Sequence, residues 1–324
     1  ASGKSSMRPL QKKLAGKLDL PWGEFALISP DIWRKFLLDY GSLGVAYKYA
    51  GMLSGHELEI VDKKLDRRMA ARSARGEMSH LLIDRFRFDS FEPELEGKGS
   101  TKLLTRFGNL IYMFFMITPP EATVERAWIR GLKMGRYKAV DDLLAHNVEA
   151  YTGMPELFFT WALSARQRVH YEFLDNSVSE GQPPRTVAFG WNGEMTILDI
   201  KRMLDIERFR KINVDAQRPE EVYLNEDLAP ECNADFLKRC AHWIPVINFA
   251  DDDTGSVYAR LERGKWAWRD EARFVDKLKD AEARAGLTAV APKTYDADAA
   301  AQPRRMDVAR EKAHTLGTWA ESTR

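Results

Sequence analysis

The sequence predicts an α/β protein built on a doubly wound parallel sheet, with a small α+β addition towards the C-terminus. Short apolar runs alternate with helical segments, which is typical of proteins whose parallel strands are joined by helices. The runs lie at residues 25–29, 80–83 and 111–117. A polar side chain follows each run, namely Asp31, Asp84 or Thr118. Because ligands bind at the carboxyl ends of such strands, we expect these side chains to converge on one site.

Composition restricts the class of protein and of partner. The chain has 324 residues, of which 44% are hydrophobic and 30% charged, as in ordinary globular proteins. Its 49 basic and 48 acidic side chains give a formal charge of +1, so no global field attracts nucleic acid or an anionic membrane. Cys232 and Cys240 are too few for a disulfide framework or a zinc set. We therefore expect a cytoplasmic protein with no nucleic-acid or membrane partner.

Changes in composition and in the spacing of apolar residues along the chain predict that it is divided into three regions. Residues 1–215 carry the alternation of strands and helices and are expected to form the main domain, in which Asn192-Gly193, a favoured two-residue turn, predicts a hairpin. Residues 216–290 contain apolar runs and turns, one of them at Asp251-Asp252-Asp253, which predict a small accessory region. Residues 291–324 are rich in Ala, Asp and Arg, which predicts a tail that is loosely ordered or helical.

The first residues match the second half of a phosphate-binding loop. Gly3, Lys4 and Ser5, followed by Ser6 and a helical segment, correspond to the end of the pattern G-x-x-x-x-G-K-[ST]. The first glycine of that pattern would fall three residues before Ala1, so the expectation is that the chain begins inside the motif. In such a loop the lysine contacts the β and γ phosphates and the serine hydroxyl binds Mg²⁺. A flexible tail or a tag remnant is the alternative.

Phosphoryl transfer also requires a base for the acceptor hydroxyl and cations for the phosphates. Asp31 follows the first apolar run and is a candidate base, and Arg34, one helical turn later, is a candidate contact for an anionic substrate. The alternative is that Asp31 caps a helix over residues 32–39. Asp84 is a candidate Mg²⁺ ligand, with Arg85 beside it; alternatively, both belong to an edge strand facing solvent.

Arginines follow the third apolar run. Arg126 and Arg130 are one turn apart on a predicted helix, and Arg136 follows the glycine-flanked segment 131–135. An arginine on such a mobile segment can enter a site only when the segment closes, where it neutralises the transferring phosphoryl group. The alternative is a solvated helix face.

The order of these motifs resembles the zeta toxin family of P-loop kinases. The matching stretches, in order along the chain, are Gly3-Lys4-Ser5, Ser29-Pro30-Asp31-Ile32-Trp33-Arg34, Leu82-Ile83-Asp84-Arg85, Thr118-Pro119-Pro120-Glu121 and Gly135-Arg136-Tyr137-Lys138. The resemblance covers roughly the first 180 residues. One departure is the sequence after Ile83, where family members usually have a glutamate and a small residue. This departure weakens any inference about the acceptor.

The resemblance implies an enzyme that uses ATP or GTP with Mg²⁺ to phosphorylate a hydroxyl of a small molecule, in the best-known members a UDP-N-acetyl sugar. It implies that Lys4 binds phosphate, Ser5 the metal, that Asp31 is the general base and that Arg126 and Arg136 stabilise the phosphoryl group. It also implies that Asn176 lies near the nucleotide base, that an antitoxin protein is a possible partner and that a chain lacking the first glycine is inactive. The alternatives are another small-molecule kinase, for an antibiotic, nucleoside or sugar, and an inactive nucleotide-binding regulator.

Overall fold

The computed structural model of the chain describes residues 4–39, 41–49, 54–84, 108–134, 139–223, 228–290 and 305–321. The chain forms two compact units. Unit 1 comprises Ala1–Leu14, Asn109–Val124 and Val140–Arg324, and unit 2 comprises Ala15–Gly108 and Glu125–Ala139. Residue 215, where the sequence pattern indicates the end of the main domain, lies inside unit 1.

The described residues contain α-helices and β-strands in mixed order. The helices are α1 (Lys4–Lys17), α2 (Pro30–Leu37), α3 (Gly55–Ala74), α4 (Pro120–Met134), α5 (Val140–Ala162), α6 (Ile200–Arg208), α7 (Asp235–Trp243), α8 (Glu271–Lys277), α9 (Ala281–Val290) and α10 (Val308–Lys312). The strands are β1 (Phe25–Ile28), β2 (His80–Ile83), β3 (Leu110–Ile117), β4 (Arg168–Asp175), β5 (Arg185–Trp191), β6 (Glu194–Ile197), β7 (Val246–Ala250), β8 (Val257–Glu262) and β9 (Lys265–Arg269). Of the helices in the described ranges, none has both the length and the apolar character needed to cross a bilayer.

Unit 2 contains a two-stranded parallel sheet. β1 and β2 pair in register from Phe25 opposite His80 to Ile28 opposite Ile83. Both strands are confirmed at the positions that the apolar runs predict. Ile28 of β1 and Met69 of α3 are buried together in one cluster, so burial of their apolar surface holds α3 on the sheet.

Unit 1 contains a seven-stranded mixed sheet in the order β3-β4-β5-β6-β7-β8-β9. The α/β class is confirmed, but only the β3–β4 and β6–β7 pairs are parallel. The other four pairs are antiparallel. Their connections contain between two and nine residues, and a parallel crossover needs a dozen or more. The expectation of an all-parallel sheet is therefore wrong for unit 1, because its turns are too short.

The C-terminal strands continue the same sheet. β7 pairs with β6 in parallel, with Glu194 opposite Val246 and Ile197 opposite Phe249. The region 216–290 therefore does not form the separate small α+β addition that the sequence pattern predicts. The predicted hairpin at Asn192-Gly193 is confirmed, since β5 and β6 are antiparallel and Gly193 has φ +66°, a conformation that favours glycine.

Aromatic side chains fill one face of this sheet. The ring of Phe158 on α5 lies 4.9 Å from Tyr171 and 5.1 Å from Phe173 of β4, and 5.7 Å from Phe236 of α7. All four side chains are at most 1% exposed. Tilted and edge-to-face aromatic pairs of this kind add to the gain from apolar burial. This cluster therefore fixes α5 and α7 against β4.

The opposite face of β4 carries the C-terminal segment, residues 305–321. The buried Glu172 carboxylate accepts hydrogen bonds from the backbone N–H groups of Leu316 (2.7 Å) and Gly317 (3.0 Å) and from the Thr186 hydroxyl (2.8 Å). Trp319 packs on Phe189 at 4.8 Å between ring centroids. The sequence predicts a tail that is loosely ordered or helical. The segment does include the short helix α10, and the contacts of Leu316, Gly317 and Trp319 hold it on the sheet.

A second polar group on this face, His170, is completely buried. Its ring lies among Tyr112 (5.2 Å), Trp191 (4.8 Å) and His314 (5.9 Å). Neither ring nitrogen has a hydrogen-bond partner in the described part of the chain. Burial lowers the pKa of His170 to about 3, and the neighbouring His314 acts in the same direction. His170 is therefore neutral in the folded protein at ordinary pH.

We predict that Glu172→Gln destabilises unit 1. Both carboxylate oxygens accept hydrogen bonds, and glutamine would replace one of them with an N–H₂ group that faces a donor. We expect urea denaturation to show a loss of about 2 to 3 kcal/mol in the free energy of unfolding. Amide exchange of Leu316 and Gly317 should also accelerate. Glu220→Gln, at an exposed site, is the matched control, and equal stabilities of the two variants would contradict the assigned role.

We also predict that His170 makes the protein less stable in acid. The unfolded chain binds a proton at His170 near pH 6.5, whereas the folded chain binds it only near pH 3. The free energy of unfolding should therefore fall as pH decreases through this window, by about 2 kcal/mol at pH 5 from this group. His170→Phe removes the titrating group, so its stability relative to the unsubstituted protein should increase from pH 7 to pH 5. A difference that does not vary with pH would contradict this, and His146→Phe controls for loss of an exposed histidine.

Candidate functional site

Helix α1 begins at Lys4, so the lysine and the serines of the loop motif lie in its first turn. The helix predicted downstream of the motif is confirmed, and it extends to Lys17. First-turn N–H groups of a helix have no intrahelical acceptor and point towards bound anions. The side chains of Lys4, Ser5 and Ser6, and the whole of Gly3, lie outside the described part of the chain.

Asp31 lies in the first turn of α2, which starts at Pro30 directly after β1 and Ser29. Ser29 has extended backbone angles and occupies the N-cap position, with proline as the first helical residue. The alternative in which Asp31 caps this helix is therefore wrong. The backbone position of Asp31 is described, and its side chain is not.

Asp84 follows β2 at the same edge of the small sheet. Its backbone N–H donates to the carbonyl of Ile28 at 2.9 Å, which continues the parallel pairing by one residue. The first turn of α2 and Asp84 thus both lie at the carboxyl edge of the β1–β2 pair. The Asp84 side chain is half-buried, and Arg85 lies outside the described residues.

Arg34 points from α2 towards the start of α3. Its Nε donates to the hydroxyl of Ser54 at 3.2 Å, and Ser54 is completely buried at the N-cap of α3. The guanidinium group therefore joins two helices of unit 2. The sequence predicts that Arg34 contacts substrate, and this role stays a prediction.

The other predicted arginines lie on or beyond α4. Arg126 is half-buried and Arg130 is exposed, both within the helix. Arg136 follows the end of this helix and lies outside the described part of the chain. The predicted helix is therefore confirmed, while the predicted roles of its arginines stay predictions.

Asn176 and Thr118 lie together at the carboxyl ends of β4 and β3. The Asn176 N–H donates to the carbonyl of Ile117 at 2.8 Å, and its side-chain amide donates to the Thr118 hydroxyl at 3.4 Å. The Tyr151 hydroxyl accepts from the Thr118 N–H at 2.7 Å and donates to the Thr118 carbonyl at 3.0 Å. Burial raises the pKa of Tyr151 well above its usual range, so the phenol stays protonated. Asn176 is only 6% exposed, so this cluster forms a closed end to the two strands.

A network of charges beside this cluster was not predicted. The buried Asp175 carboxylate contacts Arg185 Nη2 at 3.1 Å and Arg202 Nε at 3.3 Å. It also accepts from the N–H (2.8 Å) and the hydroxyl (2.6 Å) of Ser177. The network therefore fixes the turn that contains Asn176. No spacing rule connects Asp175 to Arg202, which is 27 positions away.

The network continues along α6 through residues three positions apart. Asp205 contacts Arg202 Nη1 at 2.9 Å and Arg208 Nη1 at 2.6 Å, and Arg208 reaches Glu282 of α9 at 2.7 Å. Burial raises the pKa of Asp205, while the two arginines oppose that shift. The spacing of Arg202, Asp205 and Arg208 is the sequence signal that could have identified this part of the network.

Asp251, Asp252 and Asp253 form the one acidic cluster within the described ranges whose carboxylates are close enough to share a metal ion. Asp251 Oδ1 accepts from the N–H groups of Asp253 (3.1 Å) and Thr254 (3.3 Å), and Asp251 Oδ2 lies 3.4 Å from Lys277 Nζ. These contacts are those of a side-chain-stabilised turn, which agrees with the turn expected from the sequence.

We predict that Tyr151→Phe weakens the end of the β3–β4 pair. The substitution leaves the buried N–H and carbonyl of Thr118 without their partner, which should lower the free energy of unfolding by about 1 to 3 kcal/mol. Exchange of the Thr118 amide, measured by NMR, should accelerate. Tyr49→Phe removes an exposed phenol as the control. Unchanged exchange at Thr118 would show that the phenol does not hold this end of the strands.

Comparison with known proteins identifies no relative of this chain. No family model matches it, no curated protein matches it and no solved structure matches it. The similarity to zeta toxins therefore rests on the order of the motifs in the sequence.

Proposed function

We propose that the chain is a P-loop kinase of zeta toxin type, which transfers the γ-phosphoryl group of ATP or GTP to a hydroxyl of a small molecule with the help of Mg²⁺. The observation that supports this most is the carboxyl edge of the β1–β2 pair. There the first turn of α2, which contains Asp31, and the half-buried Asp84 lie at neighbouring strand ends. A base and a metal-binding carboxylate at one strand edge are what phosphoryl transfer needs.

The phosphate-binding part of the proposed site is the first turn of α1. Lys4 supplies a positive charge to the β and γ phosphates, and the N–H groups of Gly3, Lys4, Ser5 and Ser6 provide hydrogen bonds. The backbone of Lys4, Ser5 and Ser6 is helical, which supports this role. The proposal requires that this turn and Asp31 meet at one triphosphate.

Magnesium would be held by the Ser5 hydroxyl and by Asp84, directly or through water. Both offer oxygen ligands, which Mg²⁺ prefers, and Asp84 lies at a strand end where its carboxylate is partly sheltered from solvent. The ion would neutralise charge that develops on the β and γ phosphates.

Asp31 is the proposed general base, which accepts the proton of the acceptor hydroxyl as that oxygen attacks the γ phosphorus. Arg126 and Arg136 would stabilise the transferring phosphoryl group. Arg34 and Arg85 would contact an anionic part of the acceptor. The hydrogen bond from Arg34 to the buried Ser54 gives this arginine a fixed position, which favours a binding role over a mobile one.

The acceptor in this proposal is a small hydroxylated molecule, with a UDP-N-acetyl sugar as the first choice from the family resemblance. Asn176 would contact the base of the nucleotide. Because its amide is turned inwards to Thr118, that contact would require a small local rearrangement. An antitoxin protein is a possible partner if the family resemblance extends to regulation.

The proposal predicts that Asp31 and Lys4 act differently in phosphoryl transfer. The protein is incubated with γ-labelled ATP or GTP, Mg²⁺ and a panel of hydroxylated metabolites. Asp31→Ala should lower label transfer by at least about a hundredfold while nucleotide affinity changes little, because a base acts in the reaction step. Lys4→Ala should weaken both transfer and affinity.

Two variants serve as matched controls for this assay. Asp141→Ala removes an exposed carboxylate from the first turn of α5, and Lys12→Ala removes an exposed lysine from α1. Both should transfer label normally. Full transfer by Asp31→Ala would exclude it as the base. Release of label to water alone would indicate an NTPase, and nucleotide binding without turnover would indicate a regulator.

A further inference from the structure

Unit 1 contains a cavity of about 550 Å³ on the sheet face that carries the C-terminal segment. This volume is in the range of sites that bind small molecules, typically about 300 to 1,000 Å³. Residues of strands β5 to β9 and of the segment 305–311 line it. The lining combines apolar, acidic and basic side chains.

Arg260 supplies a positive group to this cavity. Its Nε donates to Glu262 at 2.8 Å and its Nη1 donates to Asn248 Oδ1 at 2.9 Å. Asn248 in turn donates to Glu194 at 2.9 Å, so the guanidinium plane is held in one orientation. Among the described residues, Arg260 Nη2 makes no hydrogen bond. This N–H group is oriented and available to a carboxylate of a ligand.

Glu311 of α10 supplies a negative group to the same cavity. Its side chain is half-buried and has no hydrogen bond or ion pair within the described ranges. Burial raises the pKa of Glu311, and the charges of Glu194 and Asp307 act in the same direction while Arg310 opposes them. A carboxylate that is partly desolvated and close to other acids gains most from a cationic partner.

Apolar side chains complete the lining. Val257 and Met306 line the cavity and are half-buried, and both pack against a hydrophobic cluster that includes the buried Phe189. Trp191 lies beside them, and the Arg168 guanidinium is 4.3 Å from the centroid of its ring system. The cavity can therefore accept an apolar group between its acidic and basic residues.

We propose that this cavity binds a small zwitterion, an α-amino acid with an apolar side chain. Arg260 binds the carboxylate of the ligand, Glu311 binds its ammonium group, and the half-buried Val257 and Met306 contact its side chain. Glu194 is already bonded to Asn248 and lies 3.6 Å from Arg260 Nη1, so it serves to orient the arginine. This site is separate from the proposed phosphoryl-transfer residues, and it stands whether or not the chain is a kinase. Because Glu311 belongs to α10, the bound ligand would also join the C-terminal segment to the sheet.

Isothermal titration calorimetry with L-leucine and L-phenylalanine tests this proposal. We expect one or both to bind, and the matching N-acetyl amino acid and amino acid amide to bind at least about tenfold more weakly, because each lacks one charge. Glu311→Gln should weaken binding of the free amino acid at least about tenfold. It should leave the weak binding of the N-acetyl form unchanged, since that ligand has no ammonium group.

The variant Glu311→Gln removes no contact among the described residues, so it should fold normally, which circular dichroism would verify. Glu220→Gln makes the same substitution at an exposed position outside the cavity and should bind like the unsubstituted protein. The proposal is overturned if neither amino acid binds at about 10 mM. It is equally overturned if capped and free forms bind alike, or if Glu311→Gln binds the free amino acid normally.

Discussion

The structure of unit 1 depends on the burial of β4 on both of its faces. Tyr171 and Phe173 point to the face that α5 and α7 cover, while His170 and Glu172 point to the face of the C-terminal segment. Side chains alternate between the two faces of a strand, so one strand organises both layers. β4 also pairs with β3 in parallel and with β5 in antiparallel orientation. A change in its register would disrupt every one of these contacts together.

Within unit 1, the same burial of β4 positions the polar residues at the end of the β3–β4 pair. β3 and β4 end side by side at Thr118 and Asn176, and β1 and β2 of unit 2 end side by side before the first turn of α2 and Asp84. Each pair is parallel, and ligands of α/β proteins bind at such ends. The buried network around Asp175 fixes the turn after β4, so this end is rigid before any ligand arrives.

Much of the fold could be predicted because local patterns report strands and tight turns. The apolar runs located β1, β2 and β3, and Asn192-Gly193 located the β5–β6 hairpin. The mixed sheet and the packed C-terminal segment could not be predicted, because they depend on contacts such as that between Glu172 and Leu316, which are 144 positions apart. For the candidate site, the role of Asp31 as a base stays a prediction, while the alternative that Asp31 caps the helix is wrong because the cap is Ser29. Proline is favoured as the first helical residue, so Pro30 indicated Ser29 as the cap.

A crystal structure with a non-hydrolysable ATP analogue and Mg²⁺ is the most direct test of the central claim, that Lys4 and Asp31 serve one triphosphate. The account predicts that Lys4 Nζ lies about 3 Å from oxygens of the β and γ phosphates, and that the Asp31 carboxylate faces the γ phosphate from the acceptor side. A nucleotide bound away from the start of α1, or an Asp31 carboxylate on the far side of the protein from that nucleotide, would contradict the kinase assignment.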